Sequence, residues 1–283
     1  MEIKFGPAGN SQSFTDAGFK ATVDAPRWLH EMGLTAYEYQ CGRGVNIGED
    51  TARKIGAQAA LYDIALSLHA PYYINLSSRE DERIEKNIGY VLASCRAASW
   101  LGADRIVVHT GGVGKLSRTR AFENTKENVR AILDAVERAG FSTTICLETM
   151  GKQSVIGSAE EIFSLVALDD RLLPCIDFGH LNARTGGNCS TLEQYDAILT
   201  MMENTIGTAR SRIFHSHFSH IEYGPKGEVR HLTFADDRYG PEFAPLAQCI
   251  AARGWTPRFI CESAGTQAED AKTMQELYNS YLK

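Results

Sequence analysis

The amino-acid sequence predicts an α/β protein built as one (β/α)8 TIM barrel over residues 1–283. Three observations carry that prediction. Short apolar runs alternate with longer amphipathic segments eight times along the chain. No nucleotide-phosphate fingerprint follows the first strand. Six consecutive strands end in a side chain able to bind a metal, and the C-terminal strand ends are where a barrel places its chemistry.

The strands are read at residues 3–5, 36–39, 65–68, 105–108, 143–147, 173–176, 213–217 and 259–261. Several are dense in Ile, Val, Leu and Cys, as strands covered on both faces should be. The first helix opens with Asp24, Ala25 and Pro26, a capping residue and an early proline, and Gly33 closes it. The second helix spans 49–62 and the third 79–100. The fourth spans 118–139, with Gly140 as its stop signal. Ser158 and Glu161 make a capping box for the fifth. Residues 191–206, 241–253 and 268–281 complete the set. No internal repeat, low-complexity tract or Pro- or Ser-rich linker interrupts the series.

A quotient of about 150 residues per domain suggests two domains, but barrels of about 250 residues form one. The unbroken series of eight units favours one. A doubly wound open sheet is the alternative, and Gly6-Pro7-Ala8-Gly9-Asn10 is not the glycine fingerprint it would carry.

Hydrophobic residues at 43% and charged residues at 23% are ordinary globular composition and exclude disorder, collagen and coiled coil. No apolar stretch of about 18 residues predicts a membrane span. Met1 to Gly6 runs into a strand pattern with no cleavable signal, so a cytoplasmic location is expected. The net charge of −6 argues against a non-specific nucleic-acid coat protein. It leaves room for a local basic groove or a bound cation. Seven cysteines, at 41, 95, 146, 175, 189, 249 and 261, form no CxxC pair. A disulfide framework and a thiolate zinc site are both unsupported, and a reducing cytoplasm fits. Any metal must be held by His, Asp and Glu.

The ends of strands three to eight carry His69, His109, Glu148, Asp177, His217 and Glu262. A single such residue is ordinary at a barrel rim, but six in register are hard to reach by chance. Converging carboxylates without a cation would repel one another and resist ionisation. Three histidines and three carboxylates around one mouth suit Zn²⁺ or Mn²⁺. His180, His220 and His231 follow in the loops. His215 shares a strand face with His217, and the sequence leaves open which is the ligand. His30 lies in a helical pattern and reads as a surface residue. Gly111-Gly112-Val113-Gly114-Lys115 fails as a Walker motif, because His109 and Leu116 stand at its required positions. It reads instead as a turn that leaves room for substrate. Tyr72 and Tyr73 could stack on a ring or base, and Arg43 could contact a phosphate. No Ser or Cys nucleophile paired with a base stands out.

These segments resemble a known family. His69-Ala70-Pro71-Tyr72-Tyr73-Ile74-Asn75-Leu76, Val108-His109-Thr110-Gly111, Leu147-Glu148-Thr149, Ile176-Asp177-Phe178-Gly179-His180, His217-Phe218-Ser219-His220 and Cys261-Glu262-Ser263 look like the metal motifs of endonuclease IV. That is the apurinic/apyrimidinic endonuclease family within the xylose-isomerase-like barrels. The resemblance implies base-excision repair of damaged double-stranded DNA, with no membrane and no protein partner indicated. It implies two or three Zn²⁺ ions. His69, His109 and Glu148 would hold one, and Glu148 would bridge to a second held also by Asp177, His217 and Glu262. His180 and His231 would serve a third, Glu148 would be catalytic, and Tyr72 would meet the lesion. The pattern departs at Val229, where the family has Asp; Glu228 and His220 are the candidates to replace it. The loop after strand two is also shorter than the family's DNA-recognition loop. Glu148, Asp177, His217 and Glu262 are shared with sugar isomerases and epimerases. A sugar (phosphate) isomerase or epimerase with one divalent metal is therefore the alternative function. A barrel that keeps its metal for stability or binding and lacks turnover is a third.

Overall fold

The computed structural model describes residues 2–282. Among the described residues ten strands occur: β1 (Lys4–Pro7), β2 (Ala36–Gln40), β3 (Ala65–His69), β4 (Arg105–Val108), β5 (Thr144–Glu148), β6 (Leu172–Asp177), β7 (His215–Phe218), β8 (Ile221–Gly224), β9 (Gly227–His231) and β10 (Arg258–Cys261). The helices are α1 (Gln12–Asp16), α2 (Ala25–Glu31), α3 (Glu49–Leu61), α4 (Asp81–Leu101), α5 (Arg118–Arg138), α6 (Ala159–Val166), α7 (Phe178–Arg184), α8 (Leu192–Ile206), α9 (Thr208–Ser211), α10 (Phe243–Arg253) and α11 (Gln267–Ser280).

Eight strands make one parallel sheet in the order β1-β10-β7-β6-β5-β4-β3-β2. β1 and β2 meet along a narrow seam and bring the sheet round into a barrel. There Thr35 N donates to Phe5 O at 2.9 Å and Gly9 N donates to Glu38 O at 2.9 Å. Gly6 allows this approach, because a Cβ on it would overlap the Ala36 carbonyl. All eight predicted strands are present, and the eighth is β10. β8 and β9 form an antiparallel hairpin that the sequence reading did not contain. Its strands are four and five residues long, too short to show an alternation. The short helices α1, α7 and α9 escaped for the same reason.

The expected helix signals operate in part. Ser158 and Glu161 do form the capping box of α6, and a second joins Thr191 to Gln194 at α8. Asp24 precedes α2, but its side chain makes no capping bond.

Strand alternation sorts the side chains. Ile106, Val108, Ile145, Leu147 and Ile176 face the core shared with the helices. Val107, Cys146, Leu173 and Cys175 fill a separate cluster inside the barrel, and Ala8, Ala36 and Ile260 form another. Two residues on from Ser67, Val107, Cys146, Cys175, His215 and Ile260 come His69, His109, Glu148, Asp177, His217 and Glu262. A period of two thus aims every strand-end candidate into the mouth. Outside, Phe259 stacks on Phe5 at 5.5 Å and meets Phe243 edge-on at 5.2 Å, tying α10 to β1 and β10. Such pairs add about 0.5–1.5 kcal/mol beyond burial.

The opposite end of the barrel is closed by charge. Arg258 bonds both carboxylate oxygens of Asp104, at 2.8 and 3.1 Å, and Arg105 pairs with the same group at 3.1 Å. Burial opposes ionisation of Asp104, but the two guanidiniums outweigh it and bring its pKa down to about 2.

Gly6→Ala should cost at least about 2 kcal/mol in urea unfolding, because the overlap falls on backbone that cannot move without opening the seam. Asp104→Asn should cost about 1–2 kcal/mol, a value discounted for a half-exposed carboxylate. The stability Asp104 supplies is present above the unfolded carboxylate pKa of about 3.9 and fades as pH falls through the folded value. Its loss in the variant should therefore be visible at neutral pH and vanish in acid.

Candidate metal centre

Glu148, at the end of β5, is fully buried at the centre of the mouth. Its Oε2 lies 2.9 Å from His109 Nε2 and 3.3 Å from His69 Nε2. Its Oε1 lies 3.2 Å from His180 Nδ1 and 3.4 Å from His217 Nδ1. His217 Nδ1 is also 3.5 Å from Glu262 Oε2, and His180 Nδ1 is 3.2 Å from Asp177 Oδ2. Ligand atoms of Glu148, Asp177, His217 and Glu262 all lie within 4.8 Å of one another, as do those of His69, Glu148 and His217. The six strand-end residues named from the sequence are thus brought together.

Four of the histidines that line the mouth have one nitrogen engaged by an acceptor or hydroxyl of the scaffold. His69 Nδ1 meets Ala70 O at 2.7 Å, and His109 Nδ1 meets Tyr72 O at 3.2 Å. His180 Nδ1 meets Thr149 O at 3.0 Å, and Ser219 Oγ meets His231 Nδ1 at 2.8 Å. A carbonyl can only accept, so those imidazoles carry their proton on Nδ1 and, when neutral, present a bare Nε2. Bare nitrogens facing carboxylates repel unless a cation or a proton lies between. Asp177 supplies a second sign, for its Oδ2 is buried with no hydrogen-bond partner. The donor set and the orphaned oxygen both fit a divalent ion.

The ionisation pattern agrees. Burial opposes charge on Glu148, yet His109 and its other imidazole neighbours hold it well below the usual carboxylate range. Burial, reinforced by Glu262 and Glu148, pushes Asp177 up. Burial would lower His69, but Glu148 prevails and raises it to about 9. A divalent ion bound among these donors would take the place of such protons.

A third group of donors stands beside the first two. His180, Glu228 and His231 have ligand atoms within 4.8 Å of one another. Glu228 Oε2 is 3.4 Å from His180 Nε2. Val229 is 58% exposed and points away. A register shift at Glu222 and Tyr223 in the hairpin accompanies this arrangement. His220, the other candidate for the role, is turned aside: its ring stacks on Phe234 at 5.0 Å and its Nδ1 meets Asp236 O at 3.0 Å. Gly151 makes room, since a Cβ there would lie 2.6 Å from Glu228 Cβ.

Above the donors opens a cavity of about 540 Å³ lined by Tyr72, Tyr73, Gly111, Gly112 and Lys152 among others. The glycine turn leaves space as expected. Tyr72 is 52% exposed at the rim. Arg43 does not line the cavity; it is exposed, and its carbonyl accepts from Tyr73 Oη at 2.9 Å. The loop after β3 is pinned from below. Asn87 Nδ2 donates to Asn75 O at 2.7 Å, Asn124 Nδ2 to Ser77 O at 2.9 Å, and Asn128 Nδ2 to Leu76 O at 2.6 Å. His215 lies one layer beneath His217 and meets Glu38 at 2.9 Å. Glu38 and Ser219 are polar residues of the site that the sequence reading missed. A lone Glu in an aromatic strand could have signalled the first; nothing local signalled the second.

The family described as xylose isomerase-like TIM barrel matches residues 26–281. An uncharacterized protein of Methanocaldococcus jannaschii is 32% identical over 275 residues, spanning 97% of this chain and 96% of its own. A probable endonuclease 4 of Streptomyces avermitilis is 26% identical over 227 residues, 78% of this chain and 72% of its own. The crystal structure of a D-tagatose 3-epimerase-like protein superposes with a TM-score of 0.74 at 19% identity, over 99% of this chain and 98% of that one. No helix among the described residues is long and apolar enough to cross a membrane.

Chelation should lower the melting temperature, and a divalent metal ion should restore it. At a hundred times the dissociation constant the gain is about 2.7 kcal/mol. If the His180, Glu228 and His231 donors hold an ion, Glu228→Ala should lower the divalent-metal content measured by elemental analysis by one ion per chain.

Proposed function

The chain belongs to the xylose isomerase-like TIM barrel family, and from that premise we propose that it is a zinc-dependent phosphodiesterase acting on double-stranded DNA at abasic sites. It cleaves on the 5′ side and leaves a 3′-hydroxyl. The observation that supports this reading is the run of three donor clusters along one mouth, two of them sharing Glu148 and His217. A single-metal enzyme needs only one of the three.

His69, His109 and Glu148 would hold one ion; Glu148, Asp177, His217 and Glu262 a second; His180, Glu228 and His231 a third. When bound, such ions polarise a phosphoryl oxygen and lower the pKa of a water. Glu148 is the catalytic carboxylate, because its two oxygens face different pairs of histidines and span two clusters. Thr149, Ala70 and Tyr72 carbonyls keep three imidazoles in one orientation. Tyr72, exposed at the rim, offers its ring to a base beside the lesion. Lys152 offers its ammonium to a backbone phosphate. The acidic net charge is compatible, since cations in the mouth dominate the local field.

A second reading has one observation in its favour. Lys152 is the only Lys or Arg lining the cavity among the described residues, which suits a small neutral ligand. In that reading the protein is a sugar isomerase or epimerase with one divalent ion on Glu148, Asp177, His217 and Glu262. His69 and His109 then touch substrate, and a carboxylate pair moves a proton beside a carbonyl.

Elemental analysis together with incision of an abasic-site duplex separates the two. Two or three zinc ions per chain, and incision lost on chelation and regained with zinc, are expected. Glu148→Gln should reduce incision about a thousandfold. A single manganese or magnesium ion with no incision would overturn the nuclease reading.

A further inference from the structure

One layer below the metal donors lies a carboxylate without a role in the scheme above. Glu38, in β2, is fully buried inside the barrel. Ser67 Oγ donates to its Oε2 at 2.9 Å, and His215 Nε2 lies 2.9 Å from the same oxygen. Gln40 Nε2 donates to Oε1 at 3.1 Å, and His217 Nε2 lies 2.9 Å from Oε1. The His217 contact lies at ion-pair distance but outside hydrogen-bonding geometry, and no other atom meets that nitrogen in such geometry either; its Nδ1 lies 3.4 Å from Glu148 Oε1.

An ionised carboxylate has about four acceptor sites and no proton to give. Four groups surround this one, and each must therefore act as a donor. Left unmatched, a charge this deep would be expensive. The pairing of β2 with β3 sets Glu38 beside Ser67. His215 and His217 reach it from across the barrel because they share one face of β7. The structure places a charged acceptor behind a residue whose other nitrogen faces the metal donors.

We propose that Glu38 is a positioning residue of the metal centre: it holds the His217 proton on Nε2 and so presents Nδ1 as the donor to a bound ion. The proposal rests on His217 being a metal ligand. His69, His109 and His231 are oriented by neutral backbone or hydroxyl groups. His217 is backed by a full charge from the layer below, which both selects the tautomer and makes the ring a stronger donor. Ser67 and His215 hold Glu38 in place, so His215 acts through it and not on the ion.

The test is zinc affinity, measured by competition with a chromophoric chelator, alongside the melting of metal-free protein. E38Q keeps the shape and removes the charge. At least one of its zinc ions should lose about 10–100-fold in affinity, while the metal-free protein melts as the wild type does. Unchanged affinity in E38Q overturns the proposal. So does a lower metal-free melting temperature with unchanged affinity, which would make Glu38 structural. If E38Q does not fold, Ser67→Ala decides: a smaller loss of affinity supports the proposal, and none overturns it. Wild-type protein that binds no zinc would instead defeat the metal reading of His217.

Discussion

The interaction on which the structure depends is the set of contacts around Glu148. A carboxylate removed from water at the centre of a barrel needs positive charge nearby. Here it has imidazoles on both oxygens. With Asp177 and Glu262 close by, three carboxylates share one dry space, and their mutual repulsion must be offset by protons or cations. The rings are mostly turned so that cations do this best. Much of the mouth follows from this requirement: the orienting carbonyls, the glycine at 151 and the hairpin that carries Glu228 and His231.

The barrel makes such a concentration of charge tolerable by separating it from the rest. Strand alternation sends aliphatic and aromatic side chains outward to the helices and a smaller set inward. The inward set is polar at both ends and apolar between. Val107, Cys146, Leu173 and Cys175 insulate the mouth from the Asp104, Arg105 and Arg258 cluster at the other end. Glu38 and His215 interrupt that insulation directly below His217. The role proposed for Glu38 accounts for that interruption.

The loops decide what the mouth can accept. The turn after β4 is kept open by glycine, and the loop after β3 is tied to α4 and α5 through asparagines. Tyr72 is therefore presented on a fixed support. The hairpin after β7 closes the far side and adds a third donor group. Against this, the cavity wall carries little positive charge. The abundance of donors and the scarcity of lining cations pull toward different substrates.

Much of the fold was legible in the chain alone. The strands end within a residue or two of where apolar density predicts, because burial on both faces demands continuous apolar runs. His69, His109, Glu148, Asp177, His217 and Glu262 were legible for the same reason: a charged or imidazole residue closing an apolar strand breaks the pattern visibly. What remained was long-range. Glu38 meets His215 across 177 positions of sequence, and no local pattern reports that. His215 and His217 look alike in sequence, and only the depth of each in the barrel gives them different partners. Val229 stands where the resembled family has its acid, yet Glu228 reaches His180, because hairpin register and not sequence position decides which side chain points inward. Arg43 has the chemistry for a phosphate but a loop conformation that turns it out. Residue type and spacing therefore determined the barrel and its ring of donors. Only the folded chain decided which donors meet, since direction and depth arise from strand register and loop path.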